Sequence, residues 1–151
     1  MVTIFDVVNY FLRKVDKTSG SSMTPLKLQK LVYYAQAWHL AFYGTKLFNE
    51  EFQAWVHGPV NYELWQKYSG FMEIEPEEGI ELPQFTDEQL DVMNQVWEVY
   101  GKYDAKYLEE LTHKERPWIE ARKGYGPGER CNVVISTDTM REYYRGLLAD
   151  E

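Results

Sequence analysis

A long and almost wholly apolar helical pattern between Thr24 and Gly44 constrains the fold of this chain most. Thr24 suits the N-cap, Pro25 suits the first helical position, and Gly44 suits a left-handed residue at the helix end. One apolar stripe repeats at helical spacing through Leu28, Leu31, Val32, Ala35, Trp38, His39 and Phe42. The other faces are also largely apolar, with polar exceptions at Lys27, Gln29, Lys30 and Gln36. This pattern predicts a central helix that is buried on most sides.

Six further segments show helical periodicity or helix-start signals. They cover residues 3–16, 61–68, 86–102, 105–113, 117–121 and 136–148. In the second of these, the apolar positions are Leu64, Trp65 and Tyr68. Residues 17–22, 69–85 and 123–134 are predicted loops, the middle one with a short extended piece at 79–82.

Alternating aromatic residues predict a short strand or hairpin within residues 46–56. A sharp break follows at His57-Gly58-Pro59-Val60, because Gly-Pro disfavours a continuing helix or ladder. Residues 131–135 are predicted to pair with the strand near Trp55. The predicted fold is therefore mainly α: one domain over residues 1–151, with five to seven helices around a central buried helix. A small β-hairpin or two-to-three-stranded element packs on this bundle.

The acidic composition limits the classes of partner. Asp and Glu number 24 against 16 Lys and Arg, which gives a net charge of −8. This balance opposes binding to nucleic acid or to an anionic membrane and favours a basic protein partner, although an acidic surface also serves solubility alone. The single Cys131 excludes an internal disulfide and indicates a cytoplasmic protein. We expect no signal peptide and no membrane span, because no basic n-region or run of ~18 apolar residues occurs.

Few residues suggest catalysis. The three histidines are His39, His57 and His113, and none lies in a His-Glu-x-x-His arrangement. A metal-dependent hydrolase would use His57, His113 and a carboxylate. The alternative roles are structural: a hydrogen bond on the core helix for His39, a helix carboxyl end for His113, and bracing of the turn for His57. We expect no catalytic residue, metal ligand or cofactor.

Aromatic residues are abundant, with 12 Tyr and 5 Trp. Most must lie in the core, but a few could anchor an interface. Tyr33, Tyr34 and Trp55 are the candidate anchors. The acidic loop from Glu73 to Glu81 is either solvated or faces a basic partner, and opposite charge would speed that encounter.

Three landmarks in the sequence resemble a known family. They are the stretches Thr24-Pro25-Leu26-Lys27-Leu28-Gln29-Lys30-Leu31 with Tyr33 to Trp38, Ala54 to Val60, and Thr112 to Trp118. Their types and order resemble the Panacea, or SocA-like, antitoxin domain. The resemblance spans residues 24–118 and implies a small helical bacterial or prophage protein that binds a toxin encoded beside it.

The resemblance also implies two modes of action and no catalytic residues. The domain neutralises its toxin by direct binding, or it acts as an adaptor that delivers the toxin to an AAA+ protease. No DNA-binding domain is expected beside it, because the chain is short and acidic. The motif residues, with structural or partner-binding roles, are Thr24, Pro25, Leu28, Gln29, Lys30, Tyr33, Tyr34, Trp38, Trp55, His57, Gly58, Pro59, His113, Pro117 and Trp118.

Overall fold

The computed structural model describes residues 2–15 and 22–149. Within these ranges the chain forms seven α-helices and one two-stranded antiparallel hairpin. The elements are α1 (Ile4–Leu12), α2 (Pro25–Tyr43), β1 (Gln53–Trp55), β2 (Gly58–Val60), α3 (Tyr62–Tyr68), α4 (Asp87–Tyr100), α5 (Ala105–His113), α6 (Arg116–Ala121) and α7 (Thr137–Ala149). The prediction of a mainly α fold with a small β element is confirmed.

Helix α2 is the centre of the fold and has the predicted ends. The Thr24 hydroxyl accepts a hydrogen bond from the backbone N–H of Lys27, and Pro25 begins the helix. At the other end Gly44 has φ 76°, and its N–H donates to the carbonyl of Leu40. Helices α7 and α4 make the most extensive contacts with α2, and α5, β2 and α1 also contact it. The central helix is thus enclosed on most sides, as its apolar pattern predicts.

The hairpin lies further along the chain than predicted: its strands lie within residues 53–60, whereas the prediction was residues 46–56. Its strands pair Gln53 with Val60, Ala54 with Pro59 and Trp55 with Gly58, so that Val56 and His57 form the turn. The prediction that Gly-Pro ends the ladder is wrong, because Ala54 directs its own N–H away from β2, to the carbonyl of Val133. The Ala54–Pro59 pair is therefore not hydrogen bonded, and the missing N–H of Pro59 costs no ladder bond.

Residues near 131–135 pair with the other side of β1, as predicted, but over a single bridge. Gln53 lies opposite Val134, and the N–H of Ile135 donates to the carbonyl of Phe52. This short pairing packs the third extended segment beside the hairpin without forming a longer strand.

Three smaller predictions need correction. Helix α1 ends at Leu12 rather than near residue 16, because Lys14 and Val15 make tighter bonds back to Phe11 and Leu12. Helix α6 begins at Arg116 with Glu115 as N-cap residue, which places Pro117 second.

No strand forms at residues 79–82, where Gly79 turns the chain with φ 77°. Residues 17–21 of the predicted polar loop lie outside the described ranges. None of the described helices has the length and apolarity required to span a bilayer.

A pair of glycine substitutions tests the end of α2. Gly44→Ala should lower the free energy of unfolding by about 1 kcal/mol, because alanine tolerates positive φ poorly. The matched change Gly146→Ala lies inside α7 with open space around it, and should raise stability by roughly 0.5–1 kcal/mol. Urea unfolding monitored by circular dichroism measures both. Equal shifts in the two variants would contradict the proposed role of Gly44.

Candidate functional site

The polar side chains of α2 bond to the backbone of the segment that carries the hairpin. Gln29 and Asn61 form a reciprocal pair: the Gln29 amide donates to the Asn61 carbonyl at 3.0 Å and accepts from its N–H at 2.8 Å. Gln36 similarly accepts from the N–H of Leu47 and donates to the carbonyl of Phe48, both at 2.7 Å. Gln29 and Gln36 are buried, so these bonds satisfy amides that water does not reach.

Lys30 is fully buried at the junction of the first two landmarks. Its Nζ donates a hydrogen bond of 3.0 Å to the carbonyl of Pro59. Burial lowers the pKa of this amine to about 7, although the negative charge of Glu109 opposes the shift. The lysine therefore holds strand β2 against α2 through the carbonyl of Pro59.

Gly58 is required by the close packing of Lys30 and α5. It has φ 102°, and an added Cβ would lie 2.7 Å from Cε of Lys30 and 2.8 Å from Oγ1 of Thr112. Thr112 is buried, and its hydroxyl donates to the Glu109 carbonyl at 2.7 Å. The turn between β1 and β2 thus fits against both helices only without a side chain at this position.

His57 reaches across the same turn to helix α5. Its Nδ1 lies 2.6 Å from Oε1 of Glu109, and its side chain is 69% exposed whereas that of Glu109 is 10% exposed. Burial acts to raise the pKa of Glu109, but the hydrogen bond and charge of His57, with Lys106 and His113 nearby, lower it overall. This contact braces the exposed side of the turn.

The third landmark and Arg122, which follows it, hold strand β1 of the hairpin. The indole N–H of Trp118 donates to the carbonyl of Trp55 at 2.8 Å, and Nη1 of Arg122 donates to the carbonyl of Ala54 at 2.8 Å. The ring of His113 stacks on Trp118 with centroids 4.1 Å apart. Burial lowers the pKa of His113, against the opposite effects of Glu109 and the Val56 backbone. The second and third landmarks therefore form one contact.

Tyrosines of α2 and α7 surround a buried carboxylate, Glu115. The hydroxyls of Tyr34 and Tyr144 donate to its Oε1 at 2.7 and 2.9 Å, and those of Tyr33 and Tyr144 lie 3.2 Å apart. Burial raises the pKa of Glu115 to about 7, although both tyrosine bonds act to lower it. Glu115 thus links the α5–α6 junction to the two most extensively packed helices.

The ligands suggested for a metal-dependent hydrolase come together only in part. His57 contacts Glu109, whereas the ring of His113 stacks on Trp118. Within residues 2–15 and 22–149, no group of three His, Cys, Asp or Glu side chains is placed to hold a metal ion. A catalytic zinc site needs three protein ligands, so this hypothesis has no ligand set in the part of the chain that the structure describes.

Two of the three candidate interface anchors lie in the core. Tyr33 and Tyr34 are 1% and 0% exposed, so these two candidates belong to the core, where most aromatic residues were expected. Trp55 is half-buried. Leu28 is buried, and the indole N–H of Trp38 donates to the Tyr100 hydroxyl at 2.9 Å.

Trp55 belongs to a surface group of three rings, which we call the aromatic patch: Trp55, Tyr62 and Trp65. Tyr62 and Trp65 stack with centroids 6.0 Å apart, and Trp55 meets Trp65 edge-on at 5.6 Å. Tyr62 and Trp65 are 46% and 44% exposed. Of the three apolar positions noted in this helix, Leu64 and Tyr68 are buried, whereas Trp65 faces solvent.

An acidic depression adjoins the aromatic patch. Glu50, Glu51 and Glu63 line it, and Tyr62 belongs to both features. The side chains that line this depression include no Lys or Arg among the described residues. The sequence pattern did not indicate this grouping, because Glu50 and Glu51 lie before the hairpin and Glu63 lies on α3.

Several residues that hold the hairpin and the buried helix contacts in place were not singled out by the sequence. Arg122 follows a short helix without any motif, and Glu109 looks like an ordinary exposed helix residue. Glu115 lies within the third landmark, but nothing in that stretch marks it as a buried carboxylate. Each acts through partners that are distant in the chain, and a single sequence does not show such pairs.

These features define a small α-helical domain in which a buried polar brace fixes a β-hairpin on a central helix. The chain belongs to the family described as "Antitoxin SocA-like, Panacea domain", whose family model matches residues 28–119. The match extends from α2 to α6 and supports an antitoxin role. No significant match was found among curated proteins or among solved structures.

The close packing at Gly58 leads to a paired test. Gly58→Ala should lower the free energy of unfolding by about 3 kcal/mol, since it adds a clash with Lys30 and Thr112 to the strain of positive φ. Gly70→Ala also has positive φ but no atom within 4 Å, and should cost about 1 kcal/mol. Chemical denaturation measures the difference. Equal losses would show that the clash is unimportant.

Glu115 should make stability depend on pH. Its pKa is about 7 in the folded chain and near the usual glutamate value of 4.5 when unfolded, so the folded state binds more protons between these values. Stability should therefore fall as pH rises from about 4.5 to 7, by an amount of order 3 kcal/mol for this group.

The Glu115→Gln variant should lack this dependence, whereas Glu110→Gln, on the exposed side of α5, should keep it. Thermal and urea unfolding across this pH range give the difference curve between each variant and the wild type. A Glu115→Gln curve parallel to the wild type would refute the assignment.

Proposed function

We propose that this domain is an antitoxin that neutralises a cognate toxin by direct protein–protein binding, without chemistry of its own. The observation that carries the proposal is the family match over residues 28–119. The whole chain acts as one domain in the cytoplasm, beside a toxin that is basic. The charge of −8 supports this choice of partner, because opposite charge accelerates association.

The buried motif residues serve the fold in this proposal rather than the contact with the toxin. Lys30, Gly58 and Pro59 pack against one another, and Trp118 donates to the backbone of β1. Polar groups that already make internal hydrogen bonds have little remaining capacity to bond to a partner protein. The binding surface is therefore expected outside the landmarks' buried core, on side chains that solvent reaches.

The test is co-expression with the product of the adjacent reading frame. Induced alone, that product should arrest growth. Induced with this chain, it should not, and the two proteins should elute together from a sizing column. Gly70→Ala should still rescue growth, whereas the destabilised Gly58→Ala should rescue less. Equal toxicity with and without this chain, together with no shared elution peak, would contradict the proposal.

A half-life measurement separates direct neutralisation from delivery to a protease. Direct binding predicts that the half-life of the adjacent gene product is unchanged or longer when this chain is present. A shorter half-life that depends on an active AAA+ protease would instead identify the adaptor mode.

A further inference from the structure

The aromatic patch differs from the isolated apolar side chains found on most protein surfaces. Single exposed aromatic residues are common and need no explanation. Here three rings contact one another, and the indole N–H of Trp55 is fixed by a 2.8 Å bond to Gln53. Rings already held in place lose little conformational entropy when a partner binds. The patch is thus a preorganised surface of the residue types that dominate binding energies.

The acidic depression indicates what such a surface would bind. Glu51 and Glu63 are exposed and share the depression with Tyr62, so carboxylates and an aromatic face lie side by side. A Lys or Arg side chain fits this combination, because its apolar stem packs on rings while its charge meets carboxylates. The charge pattern therefore favours a basic protein segment over an apolar or acidic one.

A second exposed apolar feature is the groove lined by Trp38, Phe42, Val99 and Leu148. Val99 is 52% exposed and Phe42 is 37% exposed. The exposed apolar side chains of the groove are Phe42, Val99 and Leu148, whereas binding hot spots are enriched in Trp, Tyr and Arg. The groove is therefore the weaker candidate and serves as the comparison site.

We propose that the aromatic patch, together with the acidic depression, is the surface that docks a basic segment of the toxin. The inference rests on the proposed function, since it names the face through which the antitoxin acts. The rings of the aromatic patch supply most of the short-range contact in the complex and therefore control the dissociation rate. The carboxylates attract and orient the segment and therefore control association.

The experiment measures binding kinetics of the purified full-length chain to the purified product of the adjacent reading frame. Trp65→Ala should weaken affinity about 30-fold, mainly through faster dissociation, and Tyr62→Ala should weaken it as well. Val99→Ala in the groove should change affinity less than about twofold. Circular dichroism and thermal unfolding of each variant show whether it is folded. If Trp65→Ala is not folded, Trp65→Phe provides a milder change at the same position.

A charge-matched comparison tests the depression. Glu51→Gln with Glu63→Gln should slow association about fivefold at low salt and reduce its salt dependence. Glu88→Gln with Glu98→Gln removes the same charge from the exposed side of α4 and should change association little.

The outcomes are distinguishable. If the wild-type chain does not bind the adjacent gene product, the proposed function fails. If the wild type binds and folded Trp65 and Tyr62 variants bind equally well, the docking surface is wrong while the function stands. Loss of binding in Val99→Ala alone would assign the contact to the groove and overturn the inference.

Discussion

The fold depends on the need to satisfy polar side chains that the central helix buries. Gln29, Lys30 and Gln36 lie on a helix enclosed by its neighbours, and each would be strongly destabilising without a hydrogen-bond partner. All three find partners in one stretch of backbone, between Leu47 and Asn61. The helix thereby selects the path of an otherwise irregular segment. The hydrophobic effect buries α2, and these bonds determine where the hairpin lies upon it.

The same constraint explains why three distant landmarks form one unit. Lys30 approaches Gly58 closely, Thr112 contacts the same glycine, and Trp118 and Arg122 bond to the backbone of β1. Asn61 adds a further link, because it both pairs with Gln29 and caps α3. A short two-stranded hairpin is marginal by itself. Here helices on both sides hold its backbone, and this rigidity places Trp55 beside Tyr62 and Trp65.

Local signals in the sequence were sufficient to predict the positions of most helices, but they were insufficient to predict the position of the hairpin. The caps at Thr24, Thr86 and Asp104 were predictable because each acts within three residues of itself. The position of β2 was not predictable from local signals. A strand can contain Pro59 only where the opposite residue, Ala54, needs no bond from it, and the N–H of Ala54 donates to the carbonyl of Val133. Tyr33, Tyr34 and Trp65 are all large aromatic residues, so residue type alone does not distinguish a buried ring from an exposed one. Their burial differs because α7 covers the first two, while no described helix covers the third.

Helix α7 follows every other described element in the chain, yet it completes the innermost layer. Tyr144 has no exposed surface and supplies one of the two hydroxyls that bind Glu115. During synthesis the ribosome releases this segment after the other described elements, so a nascent chain that lacks it leaves one side of α2 and the carboxylate of Glu115 uncovered. A chain interrupted before Tyr144 would therefore lack one of the two hydroxyls that bind Glu115 and the ring that packs against Tyr33 and Tyr34.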